Sequence, residues 1–244
     1  MQWTDDALVL TSRGHGENHT ITTLFTRERG AQSALVHGGQ GSRKGAILQP
    51  GNRVQAAWQG RTDDDLGRFE VELELPYASG ALATRLGVLG LGAMTELLIR
   101  VLPDGNAYPE LFTATDAVLS HLHDEMIFPI LMIRWEIGLL SALGFGLTLD
   151  RCAATDRMLE DGADLVFVSP KSGGAVSMEA GLPYQEKLLP LPAFVIDRGE
   201  PTWPEVAKAF TLTGFFLQNW LLAPDGGTLP EARERLVQKL KTRS

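Results

Sequence analysis

The chain has 244 residues, of which 44% are hydrophobic and 21% charged. That is ample for a packed core in one large domain or two small ones, and it excludes disorder and fibrous repeats. A formal charge of −8 excludes a uniformly basic nucleic-acid binder, so any polyanion-binding face must be segregated from the rest of the surface. The first third reads as β, with short strands expected at residues 7–11, 21–26, 32–37, 53–59 and 67–75. Residues 38–45, rich in glycine, read as a loop, and Asp63, Asp64 and Asp65 as a polar turn. Within 67–75 the alternation puts Phe69, Val71, Leu73 and Leu75 on one face and Arg68, Glu70, Glu72 and Glu74 on the other. Five strands in about 75 residues predict a small closed barrel, of which the OB-fold is the commonest that handles single strands. A different five-stranded barrel is the alternative.

After Pro76 the texture becomes helical. Leu82, Leu86, Leu89, Ala93, Leu97 and Val101 follow helical spacing, and the glycines at 87, 90 and 92 permit close helix packing. Pro109 suits the first turn of a second helix, running to about Leu122. A third, residues 128–143, is apolar almost all round and is expected to be a central buried helix. Residues 152–192 are irregular, with a hairpin signal in 165–168 and 175–176; helices resume at Trp203 and again near Pro230. The fold class predicted is α+β: a five-stranded barrel over residues 1–78, then a mostly helical domain over 79–244 carrying an irregular β insert at about 150–195.

Charge is distributed unevenly along this plan. Between residues 13 and 61, seven cations (Arg13, Arg27, Arg29, Arg43, Lys44, Arg53 and Arg61) stand against two acids, Glu17 and Glu28, a local charge of +5. Such an excess on strands and a glycine-rich loop suits a polyanion, although solvated strand charges are the plain alternative. Gly38 to Gly45 fails the nucleotide-cradling pattern, because Lys44 follows Arg43 and precedes Gly45. Its two cations are read as contacts for a nucleic-acid backbone, with a plain long barrel loop as the alternative. The fragment from His15 to His19 and the pair His121 and His123 assemble no four-ligand metal site. No nucleophile stands in a recognisable elbow or beside a His–Asp pair, so no catalytic case arises. Arg134 lies among Ile130, Leu131, Met132, Ile133, Trp135 and Ile137, where a cation requires a partner. An internal acid would satisfy it; the alternative is a carboxylate on a partner peptide.

Cys152, the single cysteine, precludes an internal disulfide and suits a reducing compartment. The N-terminus does not read as a signal peptide, and Arg134 and Glu136 interrupt the longest apolar run, so no membrane span is expected and a cytoplasmic setting is.

Several stretches together resemble the RecO family of recombination mediators: Arg13-x-x-Gly16-Glu17, Phe25-Thr26 followed by Gly30, and Gly38-Gly39 with Ser42-Arg43-Lys44 and Leu48-x-Pro50. The resemblance continues through Arg134-Trp135-Glu136-x-x-Leu139-Leu140-x-x-Leu143-Gly144-Phe145 into Cys152, and so covers nearly the whole chain. It implies an N-terminal OB-fold, a helical domain, and an insert that is zinc-ribbon-like in many members. It implies a non-enzymatic protein that binds single- and double-stranded DNA and anneals complementary strands. It also implies work with RecR and RecF in helping RecA replace single-stranded DNA-binding protein, whose acidic C-terminal tail is captured. Zinc-carrying relatives hold their metal with four cysteines, whereas Cys152 stands alone, so an insert folded without zinc and no cofactor are expected. The DNA face is expected to use Arg13, Arg27, Arg29, Arg43, Lys44 and Arg53, extended by Lys171 and by Lys239, Lys241 and Arg243; Arg134 is the candidate for the tail carboxylate. A protein-binding β-barrel adaptor that ignores nucleic acid is the main alternative, and a hydrolase a more distant one.

Overall fold

The computed structural model describes residues 1–62 and 65–243, so Asp63 and Asp64 of the expected polar turn lie outside the described residues. The chain divides into two compact units, Met1–Phe128 and Pro129–Ser244. In the first, β1 (Gln2–His15), β2 (His19–Thr26) and β3 (Gly30–Val36) form an antiparallel meander, followed by α1 (Ser42–Ile47), β4 (Arg53–Gln59) and β5 (Arg68–Leu75). β4 pairs with both β1 and β5, and β5 meets β3 in parallel at Leu35 and Arg68. The strand order β1-β2-β3-β5-β4 therefore closes into a barrel.

Alternation along these strands decides what lies inside. Ala7, Val9, Leu24, Ala34, Val54 and Phe69 are among the inward side chains of a dry core, with Trp58 near one end. The turn before β5 packs directly on that tryptophan: a Cβ added at Gly67, whose φ is +58°, would lie 2.4 Å from Trp58 Nε1. Only the first half of the expected apolar face of β5 is inside. Phe69 and Val71 are buried, but Leu73 and Leu75 are each 41% exposed. The pairing of β4 with β5 slips between Arg53 and Val54, and the far end of β5 leaves the inward alternation there.

The stretch expected as a loop at 38–45 instead leads into α1, which takes in Arg43 and Lys44. The helix is closed by Asn52, whose side-chain amide donates to the carbonyls of Ala46 and Ile47 at 3.0 and 3.1 Å. The first unit continues with α2 (Tyr77–Ala81), α3 (Arg85–Val101) and α4 (Pro109–Ser120). Thr84 caps α3 by accepting the Gly87 N–H at 2.9 Å. Phe112 of α4 is fully buried and meets Phe25 of β2 edge to face, with ring centroids 5.5 Å apart.

The second unit is built on α5 (Phe128–Ala142), whose first residue belongs to the preceding unit, with α7 (Trp203–Phe216) and α8 (Glu231–Lys241). Between them lies a small sheet of β6 (Thr148–Cys152), β7 (Leu165–Val168), β8 (Gly174–Ser177) and β9 (Leu189–Pro190), in the order β6-β8-β7-β9. The short α6 (Met178–Gly181) follows β8. Three helices of this unit meet at a buried ion pair. Arg233 of α8 donates to Glu136 of α5 through Nε at 2.6 Å and Nη2 at 2.8 Å. The Thr213 hydroxyl of α7 donates to the same carboxylate, and Arg233 Nη2 also reaches the Phe210 carbonyl at 2.8 Å. A charge with no exposed surface, as at Glu136, persists only when its lone pairs are taken up in this way.

Arg134, read from its neighbours as a cation among apolar side chains, in fact lies on the exposed side of α5. Its Nη2 donates to Asp197 at 2.6 Å, and the two side chains are 52% and 78% exposed. The helix is not apolar all round, since Arg134 and Gly138 mark one open stripe four residues apart. Among the described residues no helix is long and apolar enough to cross a membrane.

Candidate nucleic-acid interface

Strand pairing places outward side chains in rows across the barrel, because register partners point to the same face. One row runs Arg13–Ile21–Leu35–Arg68 over β1, β2, β3 and β5. Arg13 and Arg68 are exposed, while Ile21 and Leu35 are half-buried. A cation thus stands at each end of an aliphatic strip, and three strand spacings set the two arginine backbones about 14 Å apart. On one side of this row Thr23 and Ser33 hydrogen-bond at 2.8 Å. On the other, His15 pairs with His19, and the His19 ring meets His37 edge to face with centroids 4.7 Å apart. A shallow groove of about 380 Å³ opens beside them, lined by Leu35, His37, Gln59, Arg61 and Arg68 among others.

The loops around this face are tied down. Gln40 Nε2 donates to the carbonyls of Gly16 and His19, both at 3.0 Å, which binds the β1–β2 turn to the segment leading into α1. Lys44 Nζ donates to the His37 carbonyl at 2.7 Å, and the Gly38 N–H donates to His19 Nδ1 at 3.3 Å. Arg13, Lys44 and the three histidines therefore belong to one end of the barrel, and Arg43 is exposed on the first turn of α1 beside Lys44.

Other cations of the first unit singled out in the sequence lie against other partners. Arg53 is held by Asp6 at 2.9 Å, Glu74 at 2.9 Å and Asp116 at 2.8 Å. Burial opposes its charge, yet these carboxylates, Asp116 first, raise its pKa further. Asp116 also accepts from the Tyr77 hydroxyl at 3.1 Å; burial, and after it that carboxylate, pushes the phenol up to about 12. Arg27 lies 3.7 Å from Asp6 and covers the Phe112 ring at 4.9 Å. Together Arg27 and Arg53 clasp α4 to the barrel. Arg29 lies over the Trp3 ring at 5.1 Å, beside a cavity of about 650 Å³ that also carries Glu28, Asp65 and Asp104. Lys171 is exposed in the turn between β7 and β8, in the second unit, where Arg243 covers Trp203 at 5.0 Å.

Arg68, Ile21, Leu35, His19 and His37 had no part in the sequence-based site. The alternation in 67–75 does mark Arg68 as outward, but its neighbours depend on a parallel contact between β3 and β5 that no local pattern announces. The opposite signal is legible: Glu70, Glu72 and Glu74 follow Arg68 along the exposed edge of β5 and end the basic face there.

In the insert, Cys152 is fully buried, and the Ser177 N–H donates to its Sγ at 3.3 Å. Burial pushes the thiol up, but hydrogen bonds from Ser177, Thr155 and Ala154 outweigh it and bring the pKa to about 6. Among the described residues no group of three His, Cys, Asp or Glu side chains is placed to hold a metal ion.

The chain is similar along its whole length to proteins of one family. Residues 1–76 match the family description "Recombination protein O N terminal" and residues 84–225 match "Recombination protein O C terminal". A protein of Methylobacterium nodulans named "DNA repair protein RecO" is 44% identical over 243 residues, covering 97% of each chain. Proteins of the same name from Rhodospirillum centenum and Rhodospirillum rubrum are 42% and 40% identical, covering 99% of this chain and 95% and 97% of their own. Two matches that together span most of the sequence, and relatives that align end to end, leave one assignment: the chain belongs to the RecO family of DNA repair proteins.

Proposed function

We propose that this chain is a DNA-binding recombination mediator acting in the repair of damaged DNA. Its barrel is read as an OB-fold, a fold whose nucleic-acid face is strands 2 and 3 between the loops that flank them. The observation that carries the proposal is the row Arg13–Ile21–Leu35–Arg68 on that face, with Arg61 in the adjoining groove and Arg43 and Lys44 at its end. Guanidinium groups meet phosphates and release counterions, while the aliphatic strip leaves bases free to find a complement. In this reading the chain binds single- and double-stranded DNA, anneals complementary strands and helps load RecA onto DNA coated with single-stranded DNA-binding protein.

RecR and the tail of single-stranded DNA-binding protein are the proposed partners, with RecF and RecA beside them, in the cytoplasm at the nucleoid. Arg134 stays the candidate for the tail carboxylate, with Asp197 as the internal acid that a tail would have to displace. The chain is proposed to act without turnover. The insert is read as the counterpart of the zinc-ribbon-like one, without metal: its one thiol is enclosed by Ser177, and a donor set of one cysteine does not fit a four-thiolate site.

A labelled oligonucleotide titrated across a salt series, with an annealing assay beside it, tests this reading. Affinity falls as salt rises, and Arg61→Ala with Arg68→Ala takes about 1.4 off the log–log slope for single strands, about 0.7 for each lost contact. Arg53→Ala is the control; it weakens the fold and leaves the slope alone. A wild-type protein that binds no oligonucleotide at low salt removes the proposal.

A further inference from the structure

The basic face carries a second layer of chemistry beside its cations. The rings of His19 and His37 touch, with centroids 4.7 Å apart and planes at 88°. They lie two residues beyond Ile21 and Leu35, His19 at the start of β2 and His37 just past the end of β3. The groove that His37 lines also contains Arg61 and Arg68. The platform is fixed from behind: the Gly38 N–H donates to His19 Nδ1, and the backbone at His37 is held by Lys44. His19 is half-buried and His37 exposed, so each ring keeps surface open to a ligand. No tryptophan, tyrosine or phenylalanine takes part in these rows.

We propose that His19 and His37 form a stacking platform for unpaired nucleobases and so make this face prefer single strands to duplex. This rests on the reading of the face as a DNA-binding surface. The physical argument is one of shape. A duplex offers its phosphates to Arg13, Arg61 and Arg68 but keeps its base faces stacked on one another. A single strand can offer the same phosphates and also lay exposed bases on imidazole, Ile21 and Leu35. The cations supply affinity for both forms, and the rings discriminate between them.

The test compares a labelled oligothymidine with a hairpin duplex, each titrated at several salt concentrations. His19→Ala with His37→Ala is expected to weaken oligothymidine binding about fivefold, at the low end for loss of aromatic stacking. Duplex affinity and both salt slopes stay unchanged, since no phosphate contact is removed. His37→Tyr, which keeps the fixed ring of His19, retains the preference for single strands, and thermal melts show that the alanine variant is folded. Equal losses on single strand and duplex overturn the proposal, as does unchanged oligothymidine binding while Arg61→Ala with Arg68→Ala weakens it. Failure of the wild-type protein to bind either oligonucleotide overturns the DNA-binding reading itself.

Discussion

Arg53 and Arg61 are eight positions apart and carry the same charge, yet their surroundings give them different work. Arg61 projects with 94% of its side chain exposed, whereas Arg53 is enclosed by three carboxylates. A cation so enclosed is a fastening, because releasing it to a phosphate would leave Asp6, Glu74 and Asp116 facing one another. Nearby, Asp5 has the opposite problem. It points into the barrel end, 8% exposed, and its carboxylate accepts the Glu28 N–H at 2.8 Å. Burial raises its pKa, and the hydrogen bonds to Glu28 and Asp6 only partly offset that. A carboxyl raised in the folded state favours folding when protonated. Its contribution is therefore complete below the unfolded value of about 3.9 and is lost as pH rises through the folded one. Asp5→Asn keeps an oxygen for the Glu28 N–H and removes the charge. We expect its melting temperature to equal or exceed that of the wild type at neutral pH, the difference closing as the solution is made acidic. A variant less stable at neutral pH would show that the Asp5 charge supports the fold.

At the scale of elements, period-two alternation located five barrel strands and helical spacing located α3, α4, α5 and α7, since both report local burial. What local patterns miss is pairing between distant segments. β5 alternates through Leu75 in sequence, but its pairing with β4 slips at Arg53, and the last two leucines, at that end of the barrel, are each 41% exposed. Leu75→Ser should accordingly change stability by no more than about 0.5 kcal/mol in urea unfolding, as for other surface positions. Phe69→Ala, on the same strand but 1% exposed, should cost about 3–5 kcal/mol. Comparable losses at the two positions would mean that Leu75 is covered in the folded protein. The same limit explains the candidate interface. Its cations were visible as a run in sequence, but which of them face outward depends on partners such as Asp116, 63 residues from Arg53. The helical context of Arg134 misled in a similar way. Neighbours in sequence surround it with apolar side chains, yet its own direction is outward, and the buried charge of that helix is Glu136 two residues on.

For the molecule as a whole, a net charge of −8 demands that attraction for a polyanion be local. The boundary lies on a single strand, where Arg68 is followed on the same outward face by Glu70 and Glu72, both exposed. Exposed like charges within about a Debye length of a phosphate, roughly 10 Å at moderate salt, repel it and confine the strand to the β2–β3 side. Glu70→Gln with Glu72→Gln leaves the Glu74–Arg53 pair in place and removes only that repulsion. The variant should bind a labelled single strand a few-fold more tightly at low salt and converge on the wild type above roughly 0.5 M, where screening has removed the difference. It should also anneal complementary strands less efficiently than its affinity predicts, because DNA then spreads over a surface without the aliphatic strip between Arg13 and Arg68. Unchanged affinity at low salt would mean that the bound strand never approaches β5, and the interface would then have to be drawn toward Arg13 and the β1–β2 turn.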